Sequence, residues 1–163
     1  MEIYLKVEKK KMTVIVKNGN LLNSDCNVII HQANCFNNMS AGIALQIKVK
    51  YPDVFLADRT FPKPLGLSRL GNYSRAITRD GKLIYNMYSQ LNYGKDSSTD
   101  YQAMHHALKF IIIDCTHSGL KNIKIGLPYG IGCGFANDNW DKIYEVINRL
   151  SIEKNQDIYL YKI

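Results

Sequence analysis

The chain has 163 residues, enough for one domain with a single sizeable core, and its 46% apolar and 21% charged residues are the proportions of a soluble globular protein. No apolar run is long enough to cross a membrane as a helix. The formal net charge of +7, from 21 basic and 14 acidic side chains, favours anionic partners, but the lysines are scattered rather than massed, so a phosphorylated small molecule suits it as well as nucleic acid does.

At the N-terminus, MEIYLKVEKKKM alternates and is charged, which is not the pattern of a signal peptide. Residues 3–7 and 13–17 flank the run Lys9 to Lys11 and predict a β-hairpin or two early strands around a solvated turn, so that residues 1–12 add a strand and turn ahead of the rest. Asn18-Gly19-Asn20 breaks the pattern. Asn27 to His31 predicts a short buried strand, followed by an asparagine-rich loop from Gln32 to Ser40. Ser40 is placed to cap a helix reaching about Tyr51, with Ile43, Ala44, Ile47 and Tyr51 on one face, and Pro52 ends it. Val54, Phe55 and Ala57 can continue as a short helix before Pro62, Pro64 and Gly66 enforce a loop.

Tyr73 to Thr78 and Leu83 to Tyr88 predict two strands joined at Asp80-Gly81, a strong hairpin turn. The clearest helix runs from Asp100 to about Ser118. Thr99 with Gln102 matches a capping box, and Tyr101, Met104, Leu108, Ile111, Ile112 and Cys115 recur at helical spacing before Gly119 closes the end. Ile123 to Leu127 predicts another buried strand. Trp140, Ile143, Tyr144, Ile147 and Leu150 mark a last helix, and Asp157 to Lys162 a last strand. Strands interleaved with helices, with no internal repeat or linker, predict one α/β domain over 1–163: a three-layer α/β/α sandwich around a central mixed β-sheet.

Two stretches carry the chemistry. After Leu127, the glycines Gly130, Gly132 and Gly134 alternate through a loop, and Asn137, Asp138 and Asn139 offer caps just before Trp140 opens a helix. Strand, glycine loop and helix N-terminus make an anion cradle, because glycines let backbone N–H groups approach a phosphate and the helix start adds partial positive charge. Alone, such a loop is equally a tight turn. The loop from Gln32 to Ser40 also follows a predicted strand directly, and in sheets of this class ligands bind beyond the carboxyl ends of the strands, which puts both loops at one edge. A Gly132→Glu change is then expected to block the phosphate by bulk and like charge.

Cys26, Cys35, Cys115 and Cys133 have neither a CxxC pair nor zinc spacing and read as reduced thiols of an intracellular protein without structural metal. Cys133, between two glycines and with no neighbouring cation to lower its pKa, reads as a small packed residue rather than a nucleophile. His105 and His106 lie beside the apolar stripe of their helix and read as surface or half-buried groups without chemistry.

In combination, KNGNLL at 17–22, VIIHQANCFNNMSAGIALQIK at 28–48, LPYGIGCGFANDNW at 127–140 and the terminal DIYLYKI, supported by LIYNMYSQ at 83–90 and TDYQAMHHAL at 99–108, resemble the macrodomain (Appr-1-p processing) family. The likeness covers most of the chain beyond residue 12. It is greatest to the branch with ADP-ribose-1″-phosphate phosphatases, phage and bacterial macrodomains and terminal ADP-ribose glycohydrolases. The resemblance implies ADP-ribose, a derivative of it or ADP-ribosylated macromolecules as partners, no membrane, and a cytoplasmic setting such as a phage protein has in its host.

By position, the resemblance sets Asn20 where many members accept from the adenine amino group, which an amide oxygen also does. It sets Asn34 at the distal ribose. Ala41, Gly42, Ile43 and Ala44 match the first phosphate-binding loop. Gly130, Ile131, Gly132, Cys133, Gly134 and Phe135 match the second, with Phe135 against the distal ribose. Tyr161 or Ile163 flanks the adenine. Taken singly, Asn34 reads as a turn residue, and Phe135 and Tyr161 as core.

The terminal glycohydrolases use a lysine after the central strand and an aspartate in the second loop. Gln90 and Ala136 stand at those positions, and a glutamine cannot attack an anomeric carbon as a lysine amine can. Lys95 and Asp138, the nearest substitutes, are displaced. The resemblance therefore points to dephosphorylation of ADP-ribose-1″-phosphate, and since no divalent-metal cluster is visible in the sequence the reaction is expected to be metal-independent and free of cofactors. Loop N–H groups would stabilise the phosphoryl oxygens, Asn34 would position ribose and water, and Gln90 would contact the ligand. His31 would orient the water or act as acid or base, since related phosphatase-like members carry a histidine at this strand end. His31 reads equally well as a histidine satisfied inside the sheet. The alternative is a non-catalytic binder or sponge of ADP-ribose-type nucleotides or ADP-ribosylated partners. Nucleic-acid binding ranks last, because no basic stripe is interleaved with aromatics.

Overall fold

Two strands buried on both faces form the centre of the molecule, β2 (Val28–Asn34) and β4 (Leu83–Gln90). Each opens on a continuous apolar run, Val28 to Ile30 and Leu83 to Tyr85, as a strand covered by helices on each side requires, and turns polar towards its carboxyl end. The computed structural model describes residues 14–95, 97–133 and 138–163. The remaining strands are β1 (Val14–Asn18), β3 (Tyr73–Ile77), β5 (Ile125–Pro128) and β6 (Ile158–Lys162). They form one six-stranded sheet in the order β1-β6-β5-β2-β4-β3. Every neighbouring pair is parallel except β3 and β4, which make the antiparallel hairpin expected at Asp80-Gly81. The sheet is therefore mixed. The hairpin or early strand expected for residues 3–7 lies outside the described residues; β1 pairs with β6.

Among the described residues four α-helices complete the layers: α1 (Gly42–Lys50), α2 (Pro52–Arg59), α3 (Tyr101–Thr116) and α4 (Trp140–Glu153). Alternation along the strands sorts the core. Val28, Ile30, Leu83, Tyr85 and Met87 pack with Met104, Leu108 and Ile111 of α3 and with Ile143, Ile147 and Leu150 of α4. Ile29 and Ile84 face the other way, to Ile47, Tyr51 and Val54 of the α1–α2 side. Full burial of each such side chain contributes roughly 1.5–3 kcal/mol. Pro52 ends α1 as its sequence position requires, and it also opens α2 at the first helical position, where its missing N–H costs nothing.

Two caps differ from expectation. α1 is preceded by Ala41, which makes no side-chain capping bond, while the Ser40 hydroxyl turns to the Asn38 side chain. α3 is capped by Asp100, whose carboxylate accepts from the Ala103 N–H at 2.9 Å, and not by Thr99. In α4, Asn139 is the cap, accepting from Asp141 N at 3.0 Å.

Candidate functional site

Because β2, β4 and β5 run parallel, the segments leaving them emerge at one edge of the sheet. They enclose a cavity of about 470 Å³. Of the residues singled out by sequence, Asn34, the α1 entrance Ala41, Gly42, Ile43 and Ala44, then Gln90, and the glycine-loop residues Gly130, Ile131 and Gly132 line it.

Asn34 sits where the pairing of β2 with β4 slips out of register, the kind of irregularity that re-aims a side chain beside a site. Its Oδ1 accepts from Phe36 N at 3.0 Å and Asn38 N at 3.4 Å, and its Nδ2 donates to Asn38 O at 2.6 Å. It is thus both a turn-forming residue and a wall residue. Arg69 braces the same loop from behind. Its buried guanidinium donates to the Asn37 Oδ1 at 2.7 Å and to the Asp58, Phe61 and Lys63 carbonyls.

Past the loop, the chain enters α1 through Gly42, whose φ of +56° suits glycine. With no side-chain cap at Ala41 and no acidic residue in the first turn, the opening N–H groups of α1 keep their partial positive charge for the cavity. Across from it, Ile131 N and Cys133 N close turns onto the Pro128 and Gly130 carbonyls. The intervening Gly130 and Gly132 N–H groups have no acceptor among the described residues.

Beneath the glycine loop lies a polar relay. The Asp138 carboxylate accepts from Thr99 N at 3.0 and 3.1 Å and from Thr99 Oγ1 at 2.9 Å. Gln32 Nε2 donates to Thr99 Oγ1 at 2.8 Å and to Ser89 Oγ at 3.0 Å. Thr99 therefore holds the loop floor, which is why it does not cap α3. Asp138, the nearest substitute for a catalytic aspartate, is committed to Thr99.

Four expected residues stand off the cavity wall. His31 is fully buried, with Nε2 2.6 Å from Asn86 Oδ1 in the sheet interior, and burial holds its pKa below the ordinary value against the Asn86 bond and the Gln32 backbone. Of its two sequence readings, the satisfied sheet histidine describes its position, although Nδ1 is left without a partner. Asn20 caps the short 3-10 turn Leu21–Asn23 by accepting from Leu22 N at 3.0 Å. Tyr161, in β6, binds Tyr129 N through its carbonyl at 2.9 Å. Tyr161 is thus linked to the cavity wall through Tyr129, whereas Asn20, among the described residues, bonds only within its own turn. The Cys133 thiol bonds the Asp138 carbonyl, and burial first and the Asp138 charge second push its pKa up, which agrees with a packed residue. Gly134, Phe135 and Ala136 lie outside the described residues.

The wall also holds Gln32, Asn38, Tyr93, Ser97 and Tyr129, which sequence reasoning passed over. A polar Gln32 ending an apolar strand two positions before Asn34 was a usable signal. Tyr93, in an irregular stretch after β4, had none.

No protein-family model matches the chain. An uncharacterized 17.5 kDa protein of the tk-vs intergenic region of Enterobacteria phage T4 is 26% identical over 126 residues, 76% of this chain and 79% of that one. The macrodomain of Mycobacterium tuberculosis DarG superposes with a TM-score of 0.71 at 21% identity, over 93% of this chain and 99% of its own. Thermosipho africanus DarTG, solved in complex with ADP-ribose, does so with a TM-score of 0.71 at 15% identity, over 93% of this chain and 42% of its own. The mixed sheet, its two helical layers and these superpositions give one conclusion: the chain has the macrodomain fold.

Proposed function

We propose that the chain binds ADP-ribose or a close derivative, free or attached to a macromolecule, in the edge cavity, and that it acts as a binder. The observation that carries this is that the start of α1 and the glycine loop, both with backbone N–H groups that lack an acceptor among the described residues, line one cavity of about 470 Å³. That volume is in the range of small-molecule and cofactor pockets, and opposed N–H groups suit a pyrophosphate. The T. africanus protein solved with ADP-ribose supports the choice of nucleotide.

The described wall carries Gln, Asn, Ser and Tyr side chains but no Asp, Glu, His, Cys, Lys or Arg. With His31 off the wall, binding ranks ahead of dephosphorylation of ADP-ribose-1″-phosphate. The latter stays as a second reading because the same N–H groups suit phosphoryl oxygens and Asn34 lies among them. Calorimetry with ADP-ribose is expected to show saturable single-site binding, and no heat and no thermal shift would sink the proposal. Phosphate release from ADP-ribose-1″-phosphate above the buffer rate would promote the second reading.

A further inference from the structure

We propose that Gln32 is a specificity-determining residue of this cavity, reading a hydrogen-bond donor of the class of a sugar hydroxyl through its Oε1, and that Asp138 is a positioning residue that sets the polarity of the Gln32 amide through Thr99. The inference rests on the ADP-ribose reading of the site and adds to it which part of the ligand meets the floor.

The argument follows the protons. A carboxylate only accepts. The Asp138 carboxylate takes the Thr99 hydroxyl proton at 2.9 Å, and the other acceptor near that hydroxyl, the Gly132 carbonyl at 3.5 Å, is also accept-only. Thr99 has one hydroxyl proton, so towards Gln32, at 2.8 Å, its oxygen can only accept. Gln32 must therefore present its NH₂ there, and its second amide proton goes to Ser89 Oγ at 3.0 Å. Amide orientation is ordinarily ambiguous; here the relay determines it. Both donors are spent, Oε1 has no partner among the described residues, and Gln32 is one of the residues lining the cavity.

A fixed carbonyl oxygen in the wall attracts a donor and repels a phosphate oxygen. The cavity is thereby divided in polarity. The N–H groups of α1 and of the glycine loop suit the phosphates, and Gln32 suits a hydroxyl. Were the amide reversed, the floor would present NH₂ and the discrimination would invert. The relay also explains why the floor is closely packed: a Cβ on Gly132 would lie 3.3 Å from Gln32 Nε2.

The test compares ADP-ribose with ADP, which lacks the distal ribose and its hydroxyls, by calorimetry on the wild type, Gln32→Met and Asp138→Asn. Gln32→Met keeps the side-chain length and removes the acceptor. It is expected to weaken ADP-ribose binding about tenfold and to leave ADP within about twofold. Asp138→Asn leaves Gln32 in place and lets its amide turn over. It is expected to erode the same preference for ADP-ribose over ADP, by a smaller factor. Thermal denaturation checks that each variant folds, and if Gln32→Met does not, Asp138→Asn decides with the same two nucleotides. Equal weakening of both nucleotides, or no change in either, overturns the role of Gln32 while leaving the ADP-ribose reading standing. A wild type that binds neither overturns both.

Discussion

The buried imidazole of His31 carries its proton on an identifiable nitrogen. Asn86 Nδ2 donates to the Val54 carbonyl at 3.0 Å and to Ser74 Oγ at 3.0 Å, so the Asn86 oxygen faces His31 and Nε2 must be the donor. A second proton, on Nδ1, would place a charge in the sheet interior with no partner. Burial accordingly holds the folded pKa below the ordinary histidine value of about 6.5. The unfolded chain then binds this proton more readily than the folded one. Stability is full above about pH 6.5 and is lost as pH falls from there towards the folded pKa. Thermal denaturation between pH 7.5 and 5 is expected to show this loss, and His31→Gln, whose amide can donate to Asn86 without titrating, is expected to flatten it. An equally steep slope in the variant would remove His31 as its source.

Gly132 is held between the loop floor and the core. It has a φ of +83°, and a Cβ there would lie 2.5 Å from Thr99 Oγ1 and 3.1 Å from Ile143 Cδ1. A side chain at 132 starts towards the floor and the core, so the expected charge block by Gly132→Glu is preceded by a packing failure. Even Gly132→Ala is expected to destabilise the fold by roughly 1–3 kcal/mol, seen as a lower Tm. A variant as stable as the wild type would mean that the loop can lift off Thr99.

Among the elements, α1 has the most to say about function, because what is missing from it matters. Ala41 is a poor cap in an extended conformation, and the first turn has no acidic residue. Ala41→Asp supplies both a capping acceptor and a favourable charge at the helix N-terminus, expected to stabilise the protein by about 0.5–2 kcal/mol. The same carboxylate stands at the cavity wall, where it repels phosphate. Tm is expected to rise while ADP-ribose affinity falls tenfold or more. A variant that gains stability without losing affinity would move the phosphates away from α1.

The helices and strands themselves were legible because apolar side chains recur at their periods: Ile143, Ile147 and Leu150 are the buried face of α4, as their spacing implies. Caps were less legible. Thr99 and Asp100 both suit the start of α3, and the choice is made by Asp138, 39 residues away, which draws Thr99 into the loop floor. The brace at Arg69 was equally hidden, since its partners are spread over an irregular stretch and a loop 32 residues distant.

At the scale of the whole molecule, strand order was beyond reach of local patterns, but the consequence that mattered was not. Parallel strands put every strand-to-helix loop at one edge, so two loops far apart in sequence could be placed together before the order was known. The net charge of +7 had a less direct meaning than it suggested. It raises the concentration of anions near the surface, yet the described cavity wall has no lysine or arginine. Phosphates held by helix and loop N–H groups at contact distance are little screened, whereas the field of scattered surface lysines decays over about 10 Å at 0.1 M salt. Raising salt from 50 to 500 mM is therefore expected to weaken ADP-ribose binding by no more than roughly threefold. A protein neutralising six nucleic-acid phosphates would lose several powers of ten over the same range. A steep dependence for ADP-ribose would mean that cations rather than backbone dipoles hold the phosphates. Attention would then pass to groups such as Lys162, whose Nζ lies 5.0 Å from the centre of the Tyr129 ring at the wall.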